Sequence, residues 1–496
     1  MSISLKLSLW IAVPCLLAAQ DVTVSVQQGV LRGQLQQGVR TFLGVPFATP
    51  PIGDLRFRAP EPSRPWTGVR TATALPPACP QRDDDGKFLG SEDCLYLNVW
   101  SREGAVNAPV MFFIHGGGNV QGFTANPLYD GSRIAREEDV VVVTVQYRLG
   151  ALGYLVHPAL DEPAGNYGLR DLVLALHWVR DNIGVFGGDA RRVMVFGESA
   201  GGVNTCMLVA SPAAAGLFSR ALMQSGACRA EAKSGAMERG TNFASGLSCS
   251  SAECLRGLSA EAIVGAQGGD PVDGNGTVTL SFGPSVDGYV LPAAPLDLIQ
   301  AGQHNRVPFA IGANADETAV FTLPLTEAAY RATVVRALGP VIGALVLREY
   351  PVTAYDSPRQ ALIAVTTDSQ FVCPSRAIAR AVANAQEEPV YRYFFTHSSP
   401  AQAVPAAFHG LELAYLFQRF SEGAAGSDLA VQRAIREYWT NFAATGDPNA
   451  SGLVRWPEYV PAADSYLEIS APPQAGRGVR TEKCDFWERM RNVATP

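Results

Sequence analysis

The chain lacks the sequence patterns of the common bound cofactors. No Cys-x-x-Cys and no His-x-x-x-His pair occurs, so a zinc site is not expected. No intact Gly-x-Gly-x-x-Gly and no Walker A pattern occurs either, which argues against dinucleotide and nucleoside-triphosphate binding. The sequence therefore predicts chemistry carried by side chains alone, without a metal ion or an organic cofactor.

An excess of positive charge and a long apolar run beyond the N-terminus are also missing. The formal net charge is −7, from 39 lysines and arginines against 46 aspartates and glutamates, which argues against nucleic acid as a partner. The later apolar runs, such as residues 140–145, have the length of a strand, so no membrane span is expected. With 47% hydrophobic and 17% charged residues, the chain is expected to form one globular domain over residues 20–496.

The N-terminus has the pattern of a secretory signal peptide. Lys6 precedes an apolar stretch over residues 7–17, and the small residues Ala18 and Ala19 follow it. The stretch is too short to span a membrane comfortably, and Pro14 interrupts it. Residues 1–19 are therefore predicted to be removed on export, and the mature protein is predicted to be extracellular or periplasmic.

The cysteines fit an oxidising compartment. Nine cysteines occur, and Cys15 leaves with the signal peptide. Cys206 and Cys228 are interpreted as free, buried thiols. Pairing cannot be deduced from spacing, so the remaining loops are candidates only. The candidate loops run between Cys79 and Cys94, between Cys249 and Cys254, and between Cys373 and Cys484.

Apolar runs of strand length alternate with helical patterns over most of the chain. Alternation of this kind is typical of an α/β protein with a mostly parallel sheet covered by helices on both faces. Ligands of such sheets bind beyond the carboxyl ends of the strands. The predicted strands cover residues 109–114, 140–147, 193–196, 220–223, 307–311 and 390–395, and a helix is predicted over residues 168–183.

The most informative motif, Gly197-Glu198-Ser199-Ala200-Gly201, follows one of these apolar runs directly. A strand that leads into Gly-x-Ser-x-Gly predicts a sharp strand-to-helix turn with an exposed serine hydroxyl at its tip. Glycines are needed on both sides because larger side chains would collide with the neighbouring strand and helix. Ser199 is therefore the candidate nucleophile for attack on a carbonyl carbon.

A serine hydroxyl needs a base, and the base needs a carboxylate to orient it. On an elbow of this kind the chain order is serine, acid, histidine, and both His397 and His409 satisfy it. Two adjacent acids, Asp316 and Glu317, follow the strand predicted over residues 307–311. Position alone leaves both acids open.

Backbone donors for an oxyanion are predicted in two places. His115-Gly116-Gly117-Gly118 follows a predicted strand, and glycine allows the main chain to turn its N–H groups towards a substrate. The N–H of Ala200, first after the candidate nucleophile, would complete the set.

These segments resemble the type-B carboxylesterase family, which includes the cholinesterases. The similarity extends from about Gly44 to Trp487, and its motifs occur in one order. The motifs are FLGVPFATPPIGDLRF, SEDCLYLNVW, FFIHGGG, VQYRLGALGYL, GNYGL, NIGVFGGDARRVMVFGESAGG, LFSRALMQSGA, ADET, FHGLEL and CDFW.

The resemblance implies an α/β-hydrolase fold and assigns roles to the candidates. It implies Ser199 as nucleophile, His409 as general base, and Glu317 rather than Asp316 as the acid. It also implies oxyanion donors and disulfides. The donors are Gly117, Gly118 and Ala200, and the bridges are Cys79–Cys94, Cys249–Cys254 and Cys373–Cys484, with Cys206 and Cys228 unpaired.

Three departures from the family pattern occur, and the first two bear on substrate specificity. Asn119 stands where the family often has an aromatic residue, and is expected to put a polar group beside the oxyanion donors. The loop over residues 79–94 contains Phe88 but no tryptophan, which argues against a choline-ester specialist. Thr318 stands where the family commonly has glycine.

The expected function is that of a secreted serine carboxylesterase acting on small-molecule esters through an acyl-enzyme. An amidase or lactone hydrolase would use the same residues. Some relatives of this family are adhesion modules that lack the nucleophile, but here Ser199, Glu317 and His409 are all present.

Overall fold

The computed structural model describes residues 19–83, 85–161, 163–268, 281–399, 406–417, 419–420 and 423–494. The predicted signal peptide lies outside these ranges except for Ala19.

One large mixed sheet crosses the molecule. Its strand order is β1-β2-β3-β7-β9-β8-β10-β11-β12-β13-β14-β15, with β4 beside β2, and β5 pairs with β6 in a separate small ribbon. The strands are β1 Gln20–Val26, β2 Gly29–Gln36, β3 Val39–Pro46, β4 Val69–Thr71, β5 Gln81–Arg82, β6 Phe88–Leu89, β7 Tyr96–Arg102, β8 Ala108–Ile114, β9 Val141–Val145, β10 Gly188–Glu198, β11 Arg220–Gln224, β12 Phe309–Asn314, β13 Val390–Phe395, β14 Ser465–Ile469 and β15 Gln474–Arg477.

The centre of the sheet, from β9 to β14, is parallel throughout. Every side chain of β8 and β9 is buried, which explains why these strands are continuous apolar runs rather than alternating ones. The predicted strands and the predicted helix are confirmed. The boundaries shift most at β10, which begins five residues before the predicted start at residue 193, because Gly188 already pairs with Ala108 ahead of a register irregularity that ends at Val193.

Helices cover both faces of the parallel strands. In β8, Val110 and Phe112 belong to one buried cluster, while Met111 and Phe113 belong to another on the opposite face. The helices are α1 Ser132–Glu138, α2 Gly150–Tyr154, α3 Tyr167–Asn182, α4 Ala200–Ala210, α5 Lys233–Gly246, α6 Ala252–Gly257, α7 Ala260–Gly265, α8 Pro295–Gln300, α9 Glu327–Glu349, α10 Pro358–Thr367, α11 Cys373–Ala385, α12 Leu411–Leu416, α13 Gly426–Thr445 and α14 Thr481–Ala494. The first cluster contains residues of α3, α4, α8 and α11, and the second contains residues of α1, α12 and α13.

A third buried cluster joins α9, α10 and α14 beside the sheet. Within the described ranges, the stretch Glu327–Ala354 is long and apolar enough to cross a membrane by length and composition alone. Its backbone is not a continuous helix, because Gly339 has φ 75° directly before Pro340. Core helices of globular proteins share this length and composition, and α9 packs with α10 in the third buried cluster.

Four cysteine pairs lie at disulfide distance. Three are the bridges that the family resemblance implies. The fourth joins Cys206 on α4 to Cys228 after β11, so the expectation that these two cysteines are unpaired is wrong. The two cysteines come together only in the folded protein, because α4 packs directly against β11 and brings their Cα atoms to 5.5 Å.

Candidate active site

Ser199 occupies the sharp turn between β10 and α4. Its backbone has φ 57° and ψ −122°, a strained conformation for a residue with a side chain. A Cβ on Gly201 would lie 2.0 Å from the Ile114 carbonyl oxygen, and one on Gly197 would lie 2.5 Å from the backbone of Gly201. The close packing of β8, β10 and α4 therefore requires both glycines, as the motif predicts.

The glycine segment after β8 curves around the same point. Gly117 has φ 106° and Gly118 has φ 63°, and a Cβ on Gly117 would lie 2.2 Å from the Gln121 carbonyl oxygen. These two glycines line one cavity together with Ser199 and Ala200, which begins α4. The predicted oxyanion donors are thus adjacent to the predicted nucleophile.

The imidazole of His409 faces this cavity from the loop before α12. Its Nδ1 lies 2.6 Å from Oε2 of Glu317, and its backbone N–H donates to the Glu317 carbonyl oxygen at 3.0 Å. Glu317 is fully buried, and its Oε1 accepts from the N–H of Asn314 at 2.7 Å. Both the ring and its carboxylate are therefore fixed in orientation.

The alternatives that position alone left open have different surroundings. Asp316, beside Glu317, accepts a hydrogen bond from Gln360 instead of facing the imidazole. His397 lies 2.9 Å from Asp428, in a buried cluster with Ser399.

A second carboxylate, Glu198, was not identified from the sequence. Its Oε1 lies 3.1 Å from Nε2 of His409, on the side of the ring opposite Glu317. Among the described residues, no hydrogen bond joins Nε2 to the hydroxyl of Ser199. Catalytic hydrogen bonds are often long or misaligned before a substrate is bound. Glu198 is the variable residue of Gly-x-Ser-x-Gly, so its position in the motif was the available clue.

A third carboxylate, Glu412, lies one turn beyond His409 on α12 and was also missed. Its Oε1 accepts from the side chain of Gln224 at 3.0 Å, and its Oε2 accepts from that of Asn314 at 2.6 Å. Asn314 also donates to the Phe408 carbonyl oxygen at 2.7 Å. Glu412 therefore connects the ends of β11 and β12 to the histidine loop.

Burial and mutual repulsion change the protonation of this cluster. Burial raises the pKa of Glu198 to about 8, against the lowering effect of the nearby His409. Burial likewise raises the pKa of Glu412 to about 7, and the neighbouring Glu317 adds to the rise. Burial alone would lower the pKa of His409, but Glu198 and Glu317 outweigh it and the pKa rises to about 9. The cluster therefore holds protons that ordinary glutamates and histidines would release at lower pH.

The pKa of His115 shifts in the direction opposite to that of His409. The ring of His115 is fully buried and stacks on Tyr147 with centroids 4.6 Å apart. Burial lowers the pKa of His115 to about 4, so the ring is neutral at physiological pH. His115 therefore supports the glycine segment without adding a charge beside it.

The cavity in front of Ser199 has a volume of about 600 Å³, the size of a small-molecule site. Its walls are mostly apolar, with Leu296, Phe321, Phe371 and Ile378 among the lining residues. Phe371 comes from a π-helical turn, Asp368–Val372, that joins α10 to α11. The apolar walls favour burial of the hydrocarbon parts of an ester.

The expectation for Asn119 is wrong. Its side chain is fully buried and accepts hydrogen bonds from Asn204 at 2.8 Å and from the Tyr154 hydroxyl at 3.3 Å. It is not among the residues that line the cavity; Gln121, two positions later, supplies a polar group there. A backbone φ of 59° at Asn119 turns the side chain towards the core.

Two other sequence departures also have defined places. Phe88 lies on β6 and is exposed outside the cavity lining. Thr318 lines the cavity, and its hydroxyl lies 2.6 Å from that of Thr366. No group of three or more histidine, cysteine, aspartate or glutamate side chains suited to a metal ion occurs in the described ranges.

The mostly parallel sheet, the helices on both faces and the serine turn after a central strand define the α/β-hydrolase fold. The chain belongs to the carboxylesterase family, whose model matches residues 20–487. It is accordingly a carboxylic ester hydrolase.

Three known proteins illustrate the similarity. The chain is 37% identical to the medium-chain fatty acyl-CoA hydrolase precursor of Anas platyrhynchos, over 95% of this chain and 93% of the relative. It is 36% identical to the para-nitrobenzyl esterase of Bacillus subtilis (strain 168), over 88% of this chain and 92% of the relative. A solved PNB esterase structure superposes with a TM-score of 0.84 at 34% identity, covering 94% of this chain and 99% of that one.

Proposed function

We propose that the protein is a secreted serine carboxylesterase that works through an acyl-enzyme, with Ser199, His409 and Glu317 as its triad. The observation that carries the proposal is the 2.6 Å contact between Glu317 and His409, at a cavity that Ser199 also lines. A buried carboxylate on Nδ1 orients the ring and stabilises the imidazolium. Nε2 accepts the serine proton in the neutral form of His409, which becomes more abundant as the pH rises towards the raised pKa of about 9.

In the proposed reaction, the hydroxyl of Ser199 attacks the ester carbonyl and gives its proton to Nε2 of His409. The backbone N–H groups of Gly117, Gly118 and Ala200 stabilise the negative oxygen of the tetrahedral intermediate. The alkoxide leaves with the proton from His409. Water then attacks the acyl-enzyme by the same route and frees Ser199.

The test is the Ser199→Ala variant, assayed against esters of graded acyl length together with amides and lactones. We expect the ester turnover to fall by at least about a thousandfold, because the acyl-enzyme cannot form. Ser369→Ala, which removes another hydroxyl from the cavity wall, is the matched control and should retain turnover. Comparable activity in Ser199→Ala and the wild type would disprove the mechanism, while a preference for amides or lactones would change the substrate class.

We also propose that residues 1–19 direct export and are removed. The support is the charged, apolar and small-residue pattern of these residues, together with four cysteine pairs at disulfide distance. The mature protein should begin at Gln20, which N-terminal sequencing of exported protein would check. Detection of the uncleaved chain in the cell interior alone would contradict the proposal.

A further inference from the structure

One cation stands out on the wall of the catalytic cavity. Arg229 lines the same cavity as Ser199 and His409, and its side chain is exposed. Over the described ranges it makes no ion pair and no hydrogen bond, unlike buried arginines such as Arg148, whose guanidinium pairs with Asp171 at 2.7 Å. A guanidinium with its full set of donors unused is available to a ligand.

The backbone that carries Arg229 is held on both sides. Cys228, directly before it, is joined to Cys206 on α4. After it, the N–H of Glu231 donates to the Pro284 carbonyl oxygen at 2.9 Å, and the N–H of Val286 donates to the Glu231 carbonyl oxygen at 2.8 Å. The guanidinium therefore extends from a fixed point of the wall, which reduces the ordering cost of binding a partner.

The surroundings do not neutralise this charge. Besides Arg229, the acidic and basic side chains that line the cavity in the described chain are Glu198 and His409. These two contact each other. The rest of the lining is apolar or carries neutral hydroxyl and amide groups. In a protein with a formal net charge of −7, an unpaired cation at the cavity is the feature that would attract an anion.

We propose that Arg229 is a specificity-determining residue that binds a second, free carboxylate on the ester substrate. The preferred substrates are then half-esters of dicarboxylic acids, or esters whose alcohol part carries a carboxylate. The planar guanidinium matches a carboxylate with two parallel hydrogen bonds. The inference rests on the proposed function, since it assumes that Ser199 attacks the ester in this cavity.

The test compares two 4-nitrophenyl esters of similar length, the hydrogen adipate and the hexanoate. In Arg229→Gln, the ratio of kcat/KM for adipate to kcat/KM for hexanoate should fall by about tenfold, as expected for loss of one charge-assisted contact. Arg229→Lys should retain part of the ratio and Arg229→Glu should lower it further. Added salt should lower the ratio in the wild type but not in Arg229→Gln.

The matched control is Arg433→Gln on α13, another exposed arginine without a partner among the described residues, which lies outside the cavity lining. Its ratio should stay at the wild-type value. An unchanged ratio in Arg229→Gln and Arg229→Glu, or an equal loss for both esters in all three Arg229 variants, would overturn the proposal. If Arg229→Gln does not fold, the salt dependence of the wild-type ratio decides. Ser199→Ala separates a failure of the catalytic proposal from a failure of the Arg229 proposal. Activity of this variant on both esters would refute the catalytic proposal itself, and with it the role of Arg229.

Discussion

His409 has a carboxylate on each side of its ring, and the two contacts have different consequences. Glu317 lies 2.6 Å from Nδ1 and fixes the ring, whereas Glu198 lies 3.1 Å from Nε2, the nitrogen that must accept the serine proton. Nε2 therefore has to exchange its contact with Glu198 for one with Ser199 when the reaction begins. The carboxylate on Nδ1 cannot be replaced in this scheme without losing the ring orientation.

The adjacent acids Glu317 and Asp316 provide a matched pair of substitutions. Glu317→Gln should lower kcat by about a thousandfold or more, because an amide stabilises neither the tautomer nor the imidazolium. Asp316→Asn, which faces Gln360, should change kcat by less than about threefold. Steady-state kinetics on one neutral ester measures both. Equal losses of kcat in the two variants would show that Glu317 contributes no more to catalysis than Asp316.

At the scale of elements, the disulfide between Cys206 and Cys228 joins the helix after the nucleophile to the cavity wall after β11. It closes a loop with a sequence separation of 22, between the 5 of Cys249–Cys254 and the 111 of Cys373–Cys484. A disulfide stabilises in the chain-entropy model by restricting the unfolded chain, more so for longer loops. The bridge therefore contributes to stability and holds the site together.

Three of the four bridges predict a graded series of stability losses. Replacing both cysteines of a pair by alanine should cost about 2 kcal/mol for Cys249–Cys254, about 3 kcal/mol for Cys206–Cys228 and about 5 kcal/mol for Cys373–Cys484. Denaturant unfolding of the three double variants measures the series. If Cys206→Ala/Cys228→Ala were as stable as the wild type, the bridge would not form in the mature protein.

For the whole molecule, the buried acid cluster links stability to pH. The pKa of Glu198 is raised from 4.5 to about 8, so its contribution to stability is complete below pH 4.5 and is lost as the pH rises through 8. The pKa of His409 is raised from 6.5 to about 9, and its contribution is lost as the pH rises through 9. Both effects have the same sign, so the folded protein should lose stability between neutral and alkaline pH.

This dependence can be tested by unfolding the protein at pH 6 and at pH 9. The free energy of unfolding should be smaller at pH 9, and Glu198→Gln should reduce the difference because it removes one of the groups and a charge beside the other. Glu482→Gln, at the exposed start of α14 and outside the cavity lining, should keep the wild-type difference. A Glu198→Gln variant with the full wild-type difference would show that the cluster does not set this slope.

Local chemistry made the elbow, the glycine segment and the central strands predictable from sequence. Gly197 and Gly201 are required by sterics wherever a strand turns this sharply into a helix, and buried parallel strands must be apolar on both faces. The sequence by itself therefore determined the fold class and the candidate Ser199. The choice between Asp316 and Glu317, and between His397 and His409, came with the family resemblance.

Contacts between distant segments were decided only by the tertiary structure. Cys206 and Cys228 meet because α4 packs on β11, and the side chain of Asn119 lies in the core, where its Oδ1 accepts from Asn204 and Tyr154. Burial and charges contributed by segments remote in sequence raise the pKa of Glu198. Arg229 reaches the cavity wall because the chain after β11 lies beside the end of β10. Spacing along a chain carries no information on such environments, because they form only once the sheet brings its strand ends together.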